Sequence, residues 1–150
     1  MRIAIASDHA AFALKANLAD WLRAQGHEVE DLGTHNDASV DYPDYGYKLA
    51  EHVAAGHAER GVALCGTGIG ISIAVNRNPA VRCALVSEPF SARLSREHND
   101  ANIIAMGARI VAPELAQACL EVFLATPFGG DRHIRRIDKL SHPPVSAQAD

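Results

Sequence analysis

A chain of 150 residues, 48% hydrophobic and 21% charged, is long enough for one good core and has the composition of an ordinary globular domain. Its net charge is −4 and its basic residues are scattered except for Arg132, Arg135 and Arg136, so there is no footprint for nucleic acid or an anionic membrane. Cys65, Cys83 and Cys119 are widely spaced with no CxxC pair, which excludes a disulfide scaffold or zinc knuckle and points to a reducing compartment, the cytoplasm. The N-terminus reads directly into a strand and has no signal-peptide pattern. No apolar run approaches the ~20 residues that a membrane span needs.

Short apolar runs alternate with amphipathic ones along the chain. Arg2–Ala6 reads as a buried strand. Ala11–Gln25 reads as a helix with Leu14, Leu18, Trp21 and Leu22 on one face and Gly26 as its stop. His27–Leu32 is a second strand, and the polar segment Gly33–Asp41 a loop. Tyr42–Ala55 is helical, with Pro43 tolerated in the first turn. Gly61–Cys65 is the third strand and Gly68–Asn76 the next helix. Arg82–Val86 is the fourth strand, followed by a helix from Pro89 to Glu97 with Ser87 as its expected cap. Ile103–Met106 is the fifth strand, and Pro113–Ala125 a helix opened by its proline. After a Pro/Gly turn, Arg132–Leu140 reads as a short basic helix. This gives a single domain over 1–140 and an extended tail over 141–150. Five strands alternating with helices predict an α/β fold: a three-layer α/β/α, Rossmann-like, doubly wound domain on a five-stranded parallel sheet.

In such sheets ligands bind beyond the carboxyl ends of the strands. That rule selects Ser7-Asp8-His9, Cys65–Gly70, Ser87-Glu88 and Gly107-Ala108-Arg109. Cys65 ends an apolar run, and Gly66, Gly68 and Gly70 follow within five residues, just before a helix. A thiol there lies beside backbone N–H groups that stabilise its thiolate, whereas Cys83 and Cys119 read as small buried hydrophobes. The glycines permit either a tight turn or close approach of a ligand to the backbone. The loop is not a Walker loop, because no Gly-Lys-Ser/Thr follows. A dinucleotide site is the more serious rival, with Glu88 about 20 residues on where a ribose-binding acid sits, although the spacing is GxGxG rather than GxGxxG. Asp8 suits a helix cap as well as a ligand contact. His98 at a helix end suits a dipole partner. Arg132 and Arg136, four apart, form either a solvated basic face or a phosphate clamp. The other histidines, His133 among them, show no metal-ligand spacing, so neither metal nor cofactor is expected.

Seven motifs then occur in order: Ser7-Asp-His-Ala-Ala-Phe12, Asp41-Tyr-Pro43, Cys65-Gly-Thr-Gly-Ile-Gly-Ile-Ser72, Ser87-Glu-Pro-Phe90, Ser95-Arg-Glu-His-Asn-Asp100, Gly107-Ala-Arg109 and the segment Gly129–Arg136. Together they resemble the type B ribose-5-phosphate isomerases and the related galactose-6-phosphate isomerase subunits, over Ile3 to about Leu140. The resemblance implies metal-free aldose–ketose isomerisation by a homodimer or homotetramer with active sites shared between subunits. It implies that Cys65 is the catalytic base and that His98 opens the sugar ring. It assigns Gly66, Thr67, Gly68, Ile69 and Gly70 to the anion-holding loop, with the Thr67 hydroxyl assisting catalysis. Asp8, His9, Tyr42 and Asn99 match substrate contacts; Arg109, Arg132 and Arg136 match phosphate or substrate contacts. One branch of the family uses a glutamate further along the loop instead of the cysteine; Ile71 stands there, which places this chain in the cysteine branch.

Ribose 5-phosphate is the expected substrate. Allose 6-phosphate, galactose 6-phosphate and an erythrulose phosphate are alternatives served by the same chemistry, and a non-catalytic nucleotide-binding module is the alternative of a different class.

Overall fold

The computed structural model describes residues 1–145. Strands β1 (Arg2–Ser7), β2 (Glu28–Asp31), β3 (Arg60–Cys65), β4 (Cys83–Leu85) and β5 (Ile103–Gly107) form one sheet in the order β2-β1-β3-β5-β4. Every pairing is parallel, with Ser7 beside Leu64 and Cys65 beside Gly107 at the carboxyl edge. Helices α1 (Phe12–Ala24), α2 (Tyr42–Ala54), α3 (Ile69–Val75), α4 (Pro89–Asn99), α5 (Pro113–Ala125) and α6 (Arg132–Ser141) connect and follow the strands.

The period-2 alternation of the strands divides the core. Ile3, Ile5, Val62, Leu64, Ile104 and Met106 face α1, α4 and α5. Ala4, Ala6, Ala63, Cys65, Ile103 and Ala105 face α2 and α3. Each fully buried side chain of Leu or Ile size contributes about 1.5–3 kcal/mol, so the sheet is stabilised from both sides. On α1, Leu14, Leu18 and Leu22 make the buried stripe, and Gly26, at φ 88°, turns the chain after it. Lys15 lies on the same helix, 1% exposed, and its ammonium pairs with Asp31 at the end of β2. The chain runs from β1 to β2 on one side and then to β3 on the other. That reversal leaves a crevice between the carboxyl ends of β1 and β3, where Cys65 stands.

Four local expectations change. The cap of α4 is Glu88, not Ser87: its carboxylate accepts from the Phe90 N–H at 2.6 Å and the Ser91 N–H at 2.7 Å. Strand β4 is three residues long, because an edge strand has a ladder on one side only. Helix α4 runs to Asn99, so His98 and Asn99 occupy its last turn, which Asp100 stops in a left-handed conformation (φ 43°). Ser141 closes α6 rather than opening a tail, and positions 146–150 of the expected tail lie outside the described residues.

Candidate active site

Two groups of candidate residues emerge, at opposite edges of the sheet. At the carboxyl edge, β3 delivers Cys65 into a bed formed by α2 and α3, where it is 4% exposed. The chain then turns sharply, with Gly68 at φ 78° and its N–H donating to the Cys65 Sγ at 3.1 Å. An amide donor of this kind binds a thiolate more strongly than a thiol. The Thr67 Oγ1 accepts from the Ile69 N–H at 3.2 Å. Two of the loop's N–H groups, those of Gly68 and Ile69, are thus engaged by its own side chains.

The loop glycines let other groups approach. A Cβ on Gly66 would lie 3.1 Å from the Arg109 guanidinium, and one on Gly70 2.5 Å from the Tyr42 ring. Arg109 and Tyr42 are therefore laid directly over the cysteine loop. Asp8 caps the turn after β1, its Oδ1 accepting from Ala10 N–H at 3.0 Å and Ala11 N–H at 3.3 Å. Its own N–H donates to Leu64 O at 3.2 Å, which ties the first loop to the strand that carries Cys65. The His9 Nδ1 accepts from Val40 N–H at 3.1 Å and latches the loop before α2 to the same edge. Asp8, His9, Tyr42, Cys65–Gly70 and Arg109 thus converge, although they come from four segments of the sequence.

Gly107 is the closest point of this packing. A Cβ there would lie 2.4 Å from the carbonyl carbon of Thr67 and 2.5 Å from its oxygen, both backbone atoms that cannot rotate away. Gly107→Ala should therefore destabilise the protein by about 1–3 kcal/mol in chemical denaturation and push the cysteine loop out of place, with turnover lost beyond what the stability change explains.

His98, Asn99, Arg132 and Arg136 lie elsewhere. Helix α4 begins at the carboxyl end of β4 and runs back for eleven residues, about 16 Å, to the amino edge of the sheet. There the Arg82 Nε, just before β4, donates to Asn99 O at 3.0 Å. Helix α6 starts beside this end: Gly129 N–H donates to Glu97 O at 2.9 Å, and the His133 ring stacks on His98. Arg132 and Arg136 are exposed on α6. Within one chain, the structure does not bring this group to Cys65. The Cys–His–Asn arrangement that formally resembles a cysteine hydrolase is therefore not assembled either. Glu88, the candidate ribose ligand, has both carboxylate oxygens bound to the first turn of α4.

Two residues escaped the reading of the sequence. His133 looked like an isolated histidine, since its partner His98 is 35 residues away; the only local signal is its place between Arg132 and Arg136. Lys15 was hidden by its charge, although its spacing from Leu18 and Leu22 puts it on the apolar face.

Burial first, then the charges of Arg132, His98 and Arg136, push the pKa of His133 down, against Asp131. Burial and the N-terminal amine do the same to His27. The unfolded chain then binds protons that the folded chain refuses. Stability is full above the ordinary histidine value of ~6.5 and falls as the pH drops below it. A thermal midpoint measured from pH 7.5 to 5.5 should decline, and should decline less in His133→Phe.

A family described as ribose/galactose isomerase matches residues 3–140. Ribose-5-phosphate isomerase B of Escherichia coli is 41% identical over 140 residues, covering 93% of this chain and 94% of that one. The structure of ribose-5-phosphate isomerase B from Clostridium thermocellum superposes with a TM-score of 0.93 at 49% identity, covering 94% of this chain and 95% of that one. A ribose 5-phosphate isomerase from Thermotoga maritima gives the same TM-score and identity over 95% and 98% of the two chains.

Proposed function

Since the chain belongs to the ribose/galactose isomerase family and is an isomerase, we propose that it interconverts D-ribose 5-phosphate and D-ribulose 5-phosphate in the cytoplasm, at a site built from two copies of the chain. The observation that carries the shared site is the separation of the two residue groups. Cys65 with its loop lies at one edge of the sheet, and His98 with the α6 arginines lies at the other. Exposed apolar side chains beside the cysteine loop, Ile69, Ile73 and Leu85, support a covering partner, as does a cleft of ≈ 340 Å³ lined by Thr67, Ile69, Leu85 and Ile110. A dimer is the smallest assembly that meets this need, and a tetramer meets it twice.

The chemistry follows from the groups present. His98 takes the proton of the anomeric hydroxyl and supplies one to the ring oxygen as the C1–O ring bond breaks, which frees the aldehyde. The Cys65 thiolate removes the proton on C2; the electron pair forms the C1–C2 double bond, and charge moves to O1. The free N–H groups of the cysteine loop, with the Thr67 hydroxyl and the Asn99 amide of the partner copy, hold the enediolate, and a single such donor is worth ~10²–10³ in rate. The protonated Cys65 returns its proton to C1 while the O2 proton passes to O1, leaving the ketose. Arg132 and Arg136 of the partner copy bind the phosphate, with Arg109 over Gly66 as a further cation at the loop. Asp8, His9 and Tyr42 line the sugar side of the crevice. The chain length of the sugar decides whether phosphate reaches the arginines while C2 stays at Cys65.

The test is a coupled assay over four-, five- and six-carbon aldose phosphates with a chelator present. The proposal expects ribose 5-phosphate to have the highest kcat/KM. A higher value for a six-carbon phosphate would move the assignment to another substrate of the family.

A further inference from the structure

His98 stands face to face with His133, with ring centroids 4.6 Å apart and planes 16° from parallel. His133 is buried and His98 half-buried. The approach is built into the backbone. Gly129 N–H donates to Glu97 O at 2.9 Å, and a Cβ on Gly129 would sit 2.9 Å from that same oxygen, so a side chain would hold the turn away. Gly130 and Asp131, at φ 64° and 54°, then aim the chain into α6, and His133 N–H donates to Gly130 O at 3.1 Å. The end of α4 is clamped separately. The Arg82 Nε and Nη2 donate to Asp100 O at 3.2 and 3.0 Å, and the Arg96 Nη1 donates to Asp100 Oδ1 at 2.8 Å and Ala101 O at 2.6 Å. Both imidazoles are mounted on fixed supports, and neither is hydrogen-bonded to another described residue.

Rotation about the outer side-chain bond of histidine is soft, so an imidazole without a hydrogen bond needs a flat neighbour to hold its plane. Two stacked imidazolium rings repel each other, and the charges of Arg132 and Arg136 also act on His133, with Asp131 as the acidic counterweight. The buried ring, His133, is disfavoured as a cation.

We propose that His133 is a positioning residue for His98: a flat platform that fixes the plane of the His98 imidazole for the proton transfers of sugar-ring opening. This rests on the ring-opening reading of His98.

The test compares His133→Phe, which keeps a flat ring, with His133→Leu and His133→Met, which keep volume but not a plane. Thermal midpoints are recorded for all. His133→Phe should retain kcat for ribose 5-phosphate within about threefold, whereas the Leu and Met variants should lose about tenfold or more in kcat with little change in KM. Exchange of solvent deuterium into C1 of ribulose 5-phosphate, which needs the base but no ring opening, should persist in all three. Equal kcat for the flat and non-flat variants would overturn the proposal. So would a parallel loss of deuterium exchange in the Leu and Met variants, which marks general disorder instead of misplaced His98. His98→Ala is measured alongside. If it leaves ribose 5-phosphate turnover intact, the ring-opening reading fails and takes this inference with it. If it is impaired while the Leu and Met variants are not, this inference alone fails.

Discussion

Cys65→Ala is expected to lower isomerase turnover by at least about 10³-fold while the fold and sugar-phosphate binding survive, because it removes the only group assigned to take the C2 proton. The Cys65 side chain is buried among α2 and α3 and, among the described residues, its sulfur accepts one hydrogen bond, from Gly68 N–H. Alanine fits that space without strain, and the loss of one sulfur atom in a core contact costs about 1 kcal/mol. The proposed phosphate clamp of Arg132 and Arg136 is untouched, so ribose 5-phosphate should still raise the thermal midpoint. Cys65→Ser sharpens the point. The serine oxygen can still accept from Gly68 but is far too weakly acidic to supply an anion at neutral pH, so this variant should also be inactive. Near-normal turnover in either variant would remove Cys65 as the base.

The fold was legible because its signals were local and repeated. Apolar strands, amphipathic helices and their Gly and Pro punctuation put all five strands and six helices in place, with ends off by one or two residues. The order of the strands was not legible: nothing in the segment 82–86 says that it becomes the edge while the later segment 103–107 enters between it and β3. The cap of α4 was misread for a related reason. Ser87 is the commoner cap residue, but Glu88 is the one whose longer side chain reaches back to two N–H groups.

The candidate site was legible in residue type and only partly in place. Cys65 and its glycines declared themselves, because a thiol, a tight turn and a helix start fall within one short segment. That Tyr42 lies on Gly70 and Arg109 on Gly66 is a long-range fact that only the packing reveals. His98 was singled out by the family resemblance of Ser95–Asp100, yet its distance from Cys65 follows from the direction of α4 and is absent from spacing along the chain. His133 was passed over because a stacked pair across 35 residues leaves no periodic trace.

The measurement that tests the shared site most directly is complementation between two inactive variants. Cys65→Ala and His98→Ala chains are purified separately, mixed, dissociated and reassembled. In a mixed dimer, one site combines both substitutions and is dead. The other combines the intact Cys65 of one copy with the intact His98 of its partner. Random reassortment makes half the dimers mixed, so the mixture should recover about a quarter of wild-type turnover from two preparations that have almost none. Recovery near that level, with ribose 5-phosphate as substrate, is the result this account predicts. A mixture that exchanges subunits fully and remains as inactive as its components would contradict it, because Cys65 and His98 would then have to serve the same site from the same chain.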